Sequence, residues 1–338
     1  MFLDQLWRTG QEFLGVRYPI ICGAMTWISD SSLVRAVSQS GAFGSLAAGH
    51  LAPQMLAKEI ERTRRSADKP FAVNLITLAP NYREHLKLVA DLRVPVVIFA
   101  GSFPRASEIE VAKEAGCKIV CFASNESIAQ RMIHFGADAL ILEGNEAGGH
   151  IGHVSLVILL QQVLFKVKAV PIFVAGGIAT GRLMAHLVLM GASGVQLGTR
   201  FVMSRECRAH PKFKEAFLRA RARDAVASPA VSSDLHVVPV RAIRNRGTDE
   251  FADLQIELLQ KQRGGQITRA EAQRRAEEYW MGALQRAVQK GDVARGSLMA
   301  GQSVGLVDRI QPLEEIVGEL VRDAQQELDR IHKRLCAL

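Results

Sequence analysis

A (β/α)8 barrel, the TIM-type α/β fold, with a C-terminal helical cap subdomain is the fold this sequence predicts. Three observations lead there. Eight short apolar runs are bounded by glycine or proline. Amphipathic stretches with three- and four-residue apolar spacing separate them. No G-x-G-x-x-G turn follows an early run. The runs are Pro19–Cys22, Phe43–Ala47, Phe71–Leu75, Val94–Phe99, Lys118–Phe122, Ala139–Leu142, Pro171–Val174 and Gly194–Leu197. Strands covered on both faces read as continuous apolar runs, which is the signature of a buried parallel sheet. Helical patterns such as Ser31–Ser40, Pro53–Arg65, Arg105–Ala115, Glu126–Phe135 and Gly181–Met190 supply the crossovers. Eight strand–helix units favour a closed barrel over an open sheet. A doubly wound sheet would place a glycine fingerprint after an early strand, and Gly41, Gly44 and Gly49 have the wrong spacing for it.

The pattern changes near residue 225. Residues 1–224 are expected to form the barrel and 225–295 an inserted mixed and helical cap. The cap begins with a strand-like His236–Val240 and continues through a helical stretch over 250–290 rich in Glu, Gln and Arg. Residues 296–338 are expected to close the fold. Gly296–Gly305 reads as a loop, and Pro312–Leu335 as a long amphipathic helix packing back on the barrel.

Composition narrows the function classes. Of the 338 residues, 48% are hydrophobic and 22% charged, the balance of an ordinary soluble globular protein. No apolar run reaches the roughly 18 residues a membrane span needs, and Val154–Val163 is interrupted by Gln161 and Gln162. The first residues, with Asp4, Gln5, Arg8 and Glu12, lack the apolar core of a secretory signal. Five cysteines without a CxxC pair suit a reducing cytoplasm. The net charge is +8, with Arg219, Arg221 and Arg223 contributing after the eighth run. These read as a solvated helix face or as an attractor of acidic partners. A nucleic-acid partner is not expected, because the aromatics, at 6%, do not interleave with the basic residues.

Chemistry gathers at the strand ends. Ala175-Gly176-Gly177-Ile178 follows the seventh run and Gly198-Thr199-Arg200 the eighth. Glycine brings backbone N–H groups close to a phosphate, and barrels often bind phosphate with these two loops. Tight βα turns are the plain alternative for either loop alone. After the sixth run comes Glu143-Gly144-Asn145-Glu146-Ala147-Gly148-Gly149-His150-Ile151-Gly152-His153. An imidazole flanked by glycines titrates near neutrality and suits a general acid beside a flat ligand. Two preceding glycines favour His150 over His153 as the catalytic residue. No third ligand sits at metal-binding spacing from the pair, so no metal is expected. Gly23-Ala24-Met25-Thr26 after the first run and Asn74 on the third could line a planar ring.

These residues resemble the superfamily of nitronate monooxygenases and flavin-dependent enoyl-acyl-carrier-protein reductases, and within it the reductases most. The resemblance spans nearly the whole chain. It rests on Tyr18-Pro19-Ile20-Ile21 with Gly23 and Met25-x-Trp27, on Pro70-Phe71-x-Val73-Asn74-Leu75, on the loop Glu143–Gly152, and on the two glycine loops. Val240-Arg241-x-Ile243-x-Asn245, Gly291-Asp292-Val293 and Gly296–Gln302 are similar to the reductases' C-terminal segment. The resemblance implies bound FMN, with Gly176, Gly177, Gly198 and Thr199 on its phosphate. Gly23, Ala24, Met25, Asn74 and Gln196 would lie about its ribityl chain and ring. Ser124, Glu143, Gly148 and Gly149 complete the implied cofactor contacts, and His150 lies near the reactive face.

It also implies NAD(P)H as reductant and an acyl thioester on coenzyme A or an acyl carrier protein, or another small electrophile, as substrate. A homodimer is a possible assembly. Oxidation of nitronates by oxygen is the competing activity, but monooxygenases of that type carry a longer insertion between the third and fifth strands. They also often have Arg where this chain has Ile151. A flavin-binding partner protein without turnover is the third reading, disfavoured by His150. The chain departs from the reductases at Cys22, Ala24, Thr26 and Thr180, where they usually carry Gln, Gly, Ala and Asp.

Overall fold

A computed structural model describes residues 2–229, 231–235 and 237–337. Its centre is a closed barrel of parallel strands in the order β1-β2-β3-β4-β5-β6-β8-β9. These are β1 (Ile20–Cys22), β2 (Phe43–Ala47), β3 (Ala72–Ile76), β4 (Val96–Ala100), β5 (Lys118–Ala123), β6 (Ala139–Glu143), β8 (Ile172–Ala175) and β9 (Gly194–Leu197). Closure comes from β9 pairing with β1, Ile20 opposite Val195 and Cys22 opposite Leu197. The predicted runs fall on these strands to within two residues at either end.

Alternation along each strand divides the core. Ile21, Val96, Ile98, Val120, Ile141 and Phe173 fill the barrel interior. Their neighbours Cys22, Val97, Phe99, Ile119, Leu140 and Val174 pack outward against the helices. Each such side chain, fully buried, contributes roughly 1.5–3 kcal/mol. The N-terminal mouth of the barrel is plugged. Leu14 and Val16 pack into the interior cluster with Phe13 beside them, and the Lys118 ammonium meets the Phe13 carbonyl at 2.5 Å. The other mouth, where the strands' C-terminal ends and their loops gather, is the one left to open onto a ligand.

Helix starts follow local chemistry. The Asp30 carboxylate accepts the N–H groups of Ser32 and Leu33 at 3.0 and 2.9 Å and so caps the helix Ser31–Gln39. Asn125 does the same for Glu126–Phe135 through Ile128 N–H, at 2.8 Å.

Beyond the barrel, a small antiparallel sheet runs β10 (Ala225–Ala227), β11 (Val240–Ile243), β7 (Gly149–His150). The strand expected over His236–Val240 therefore starts only at its last residue. His236 lies outside the described residues, and residues 237–239 are irregular. Pro239 has no N–H to donate to a ladder, although its carbonyl accepts Ile151 N–H at 3.0 Å. The helical stretch over 250–290 is two helices, Arg246–Arg263 and Arg269–Lys290. They are parted at Gly264-Gly265, where Gly265 takes φ +69°. Phe251, Leu258, Ala276 and Trp280 form their shared core, with the Phe251 and Trp280 rings 4.3 Å apart. The Gly296–Gly305 stretch holds a 3-10 turn at Gln302–Leu306, and the last helix, Leu313–Cys336, packs along the barrel helix Gly181–Leu189. Among the described residues no helix is long and apolar enough to cross a membrane.

Candidate active site

The open mouth holds a cavity of about 420 Å3, within the range of roughly 300–1,000 Å3 usual for small-molecule sites. Its walls come from loops far apart in sequence. Gly23, Ala24, Met25 and Thr26 follow β1, Asn74 sits on β3, and Ser124 follows β5. Glu143 ends β6, and Gly148, Gly149 and His150 follow in the loop. Gly176 and Gly177 follow β8, Gln196 lies on β9, and Gly198 and Thr199 come directly after it. Every site residue expected from sequence thus lines one cavity. His153, the rejected imidazole, is exposed and lines none of it.

The departures from the reductase pattern separate cleanly. Ala24 and Thr26 line the cavity, whereas Cys22 and Thr180 do not. Cys22 is buried on the outward face of β1, where burial pushes its thiol far up and makes it inert. Thr180 caps the helix Gly181–Leu189, accepting Leu183 N–H at 3.3 Å.

Close packing of backbone explains the glycines. Gly176 has φ +94°, and a Cβ there would stand 2.8 Å from the Gly144 carbonyl. At Gly148 a Cβ would stand 2.5 Å from the backbone at Ala300 and Gly301. The segment after the cap helix is pinned here. Gly301 N–H donates to the Thr199 hydroxyl at 3.0 Å, and Gln302 N–H to the Glu146 carbonyl at 2.9 Å. Met299, Gly301 and Ser303 join the wall as a result.

Polar groups inside the cavity are left unpaired. Asn74 and Gln196 are 9% and 8% exposed. Among the described residues their amides have no hydrogen-bond partner, and neither does the Glu143 carboxyl. These side chains line the open cavity, so the set is suited to a ligand with a polar edge. Glycine-lined backbone on the opposite loops suits a phosphate. Those two features are what a flavin mononucleotide presents, and the residues fit it.

Two titratable side chains, Glu143 and His150, shape the electrostatics. Burial pushes the Glu143 carboxyl up to about 8, against a smaller opposing pull from His150. Burial also opposes charge on His150, but the hydrogen bond and charge of Glu277 and the charge of Glu143 outweigh it, and its pKa is raised. His150 Nε2 lies 3.2 and 3.1 Å from the two oxygens of Glu277. This partner was invisible in the sequence. It is one of several glutamates in the charged cap helix Arg269–Lys290, 127 residues away, and periodicity alone does not single it out. Trp27 was matched only as part of a motif. Its backbone takes φ +66°, its ring stands 4.2 Å from that of His50, and its indole N–H reaches the Met281 carbonyl on the same cap helix at 3.2 Å.

Comparison with known proteins agrees with this fold. The model of the nitronate monooxygenase family matches residues 9–87 and 76–323. A Rhodococcus jostii protein, (3aS,4S,5R,7aS)-5-hydroxy-7a-methyl-1-oxo-octahydro-1H-indene-4-carboxyl-CoA dehydrogenase, is 28% identical over 95% of this chain and 96% of its own. A probable nitronate monooxygenase of Staphylococcus aureus is 28% identical over 71% of this chain and 79% of its own. Among solved structures, FabK from Thermotoga maritima superposes with a TM-score of 0.86 at 35% identity, covering 96% of this chain and 98% of FabK.

Proposed function

Because the chain belongs to the nitronate monooxygenase family and is a flavin-dependent oxidoreductase, we propose that it reduces the C=C bond of an enoyl thioester, using FMN and NAD(P)H. The observation that carries this reading is the raised, carboxylate-held His150 at the wall of the glycine-lined cavity. It is supported by the reductase-like loop Glu143–Gly152, by the identity to FabK and by the carboxyl-CoA substrate in the name of the Rhodococcus relative.

In this reading Gly176, Gly177, Gly198 and Thr199 hold the phosphate, and Asn74 and Gln196 meet the polar edge of the ring. FMN held there would supply hydride transfer from the nicotinamide to the β-carbon of the enoyl group. His150 gives the proton to the α-carbon, which an imidazole whose pKa is raised by the neighbouring Glu277 is suited to do. Met299 and the cap residue Leu284 add apolar surface to the cavity wall. Residues 1–224 act as the flavin barrel, 225–295 as the cap, and 296–338 as the segment that closes back upon both. A cytoplasmic setting fits the unpaired cysteines.

The match to the nitronate monooxygenase model itself favours a second reading, oxidation of nitronates with oxygen. One substrate panel separates the two. The reductase reading expects NAD(P)H to bleach the flavin without oxygen and an enoyl-CoA to restore its colour. Oxygen uptake with a nitronate, outpacing any NAD(P)H oxidation on the thioester, would replace it with the second.

A further inference from the structure

The cap helix Arg269–Lys290 turns one stripe to the barrel mouth. Glu277, Met281 and Leu284 stand a helical turn apart on it. Leu284 lines the cavity, the Met281 carbonyl takes the Trp27 indole N–H, and Glu277 meets His150. Both Glu277 oxygens are within 3.2 Å of the same ring nitrogen, Nε2. An ionised carboxylate accepts hydrogen bonds and has no proton to give. Nε2 must therefore be the donating nitrogen, and the proton His150 gains and loses is the one on Nδ1.

We propose that Glu277 is the positioning residue for His150: from the cap helix it holds Nε2 as a permanent donor, so that Nδ1 carries the proton His150 delivers. This rests on the reading of His150 as the acid, and it makes seating of the cap a condition for that acid to work. The groups around the ring leave Glu277 as its strongest partner. From β6, Glu143 acts on His150 through charge alone. On the neighbouring strand β11, Arg241 turns its guanidinium away, to the carbonyls of Asn145 at 2.9 Å and Ala225 at 2.6 Å. On the helix itself Glu278 is engaged by Arg274.

The test uses the full, flavin-loaded chain with 15N-labelled histidine, so that the ring's tautomer and titration are read without turnover. His150→Ala assigns the resonance. The neutral ring should be the Nε2–H tautomer. In Glu277→Gln the titration should move to lower pH and the tautomer should become mixed. Glu277→Asp, which keeps the charge on a shorter arm, should fall between. For Glu277→Gln, kcat should drop roughly 10-fold above neutral pH with little change in KM, short of the ~10²–10⁴ that loss of a general acid costs. An Nδ1–H tautomer in the wild type, or an unchanged titration in Glu277→Gln, would overturn the proposal. Should that variant not fold, the wild-type tautomer and an unmoved Glu277→Asp titration decide the question. Normal turnover by His150→Ala would sink the acid reading alone, because the ring measurement does not depend on it.

Discussion

Glu143 and Glu327 are both carboxyl groups drawn into the protein, and they end on opposite sides of neutrality. Glu143 stands at the mouth of the barrel with no hydrogen-bond partner among the described residues, and burial raises it to about 8. Glu327 lies on the flank, its side chain 2% exposed, where the last helix meets the barrel. Arg330 donates to it at 2.6 and 3.0 Å, His186 stands at 3.0 Å and Arg182 at 3.2 Å. Those hydrogen bonds, with Arg330's the largest, outweigh burial and bring it to about 2. Partners make the difference. The flank invests a carboxylate in holding two helices together. The mouth leaves a carboxyl unsatisfied, which is tolerated where a ligand completes the site.

The largest expected effect breaks the pair at His150, whose charge holds Glu143 down. His150→Ala should keep its flavin and lose turnover by roughly 10²–10⁴, the contribution of a positioned general acid. In the same variant Glu143 should titrate higher than in the wild type. Flavin absorbance and steady-state rates across pH check both parts. Unchanged turnover would make the loop structural and the comparison one of packing alone.

A middling effect is expected from Glu143→Gln, which fixes the carboxyl in a neutral form. A group raised in the folded state stabilises that state below its unfolded value, here 4.5, and loses the contribution as pH rises through about 8. His150, also raised, adds to the same alkaline decline. The variant should therefore match the wild type near pH 5 and melt several degrees higher at pH 9. A variant that is less stable at both pH values would show that Glu143 is ionised and paired, contrary to the contrast drawn here.

The barrel mouth was far more legible in the sequence than the cap. Strands buried on both faces must be apolar throughout, so the runs at Val94–Phe99 and Ala139–Leu142 show themselves without any partner. Glycines such as Gly148 and Gly176 are legible for a related reason: backbone crowds backbone there, and only glycine fits. Glu277 had no such signature. Its role arises from a long-range contact between two surfaces, and in its own helix it is an ordinary polar residue among many. The clamp at Glu327 was hidden in the same way, inside an amphipathic pattern that predicted the helix but not what anchors it. Asn245 shows the reverse case. Motif similarity marked it, and its work is structural: it caps the helix Arg246–Arg263 and holds the carbonyls of Val293 and Gly296 at 2.8 and 2.7 Å.

The smallest effect on activity, and the sharpest test of the contrast, is expected from Glu327→Gln. The substitution keeps the shape of the side chain but removes the charge that Arg330, Arg182 and His186 share. Each of those three is about half exposed or more, so water can take up much of what they lose, and no collapse of the barrel follows. The melting temperature should fall by a few degrees at pH 7, while turnover stays within about twofold, since none of the four residues lines the cavity. The pH dependence is opposite in sign to that of Glu143. A group depressed in the folded state stabilises it above the ordinary carboxylate value, 4.5, and loses the contribution as pH falls through about 2. The gap between wild type and variant should therefore be widest near neutrality and close on acidification over that window. A gap that persists undiminished at pH 2 would mean that shape, not charge, holds the last helix to the barrel, and the two carboxyl groups would then differ in packing more than in partners.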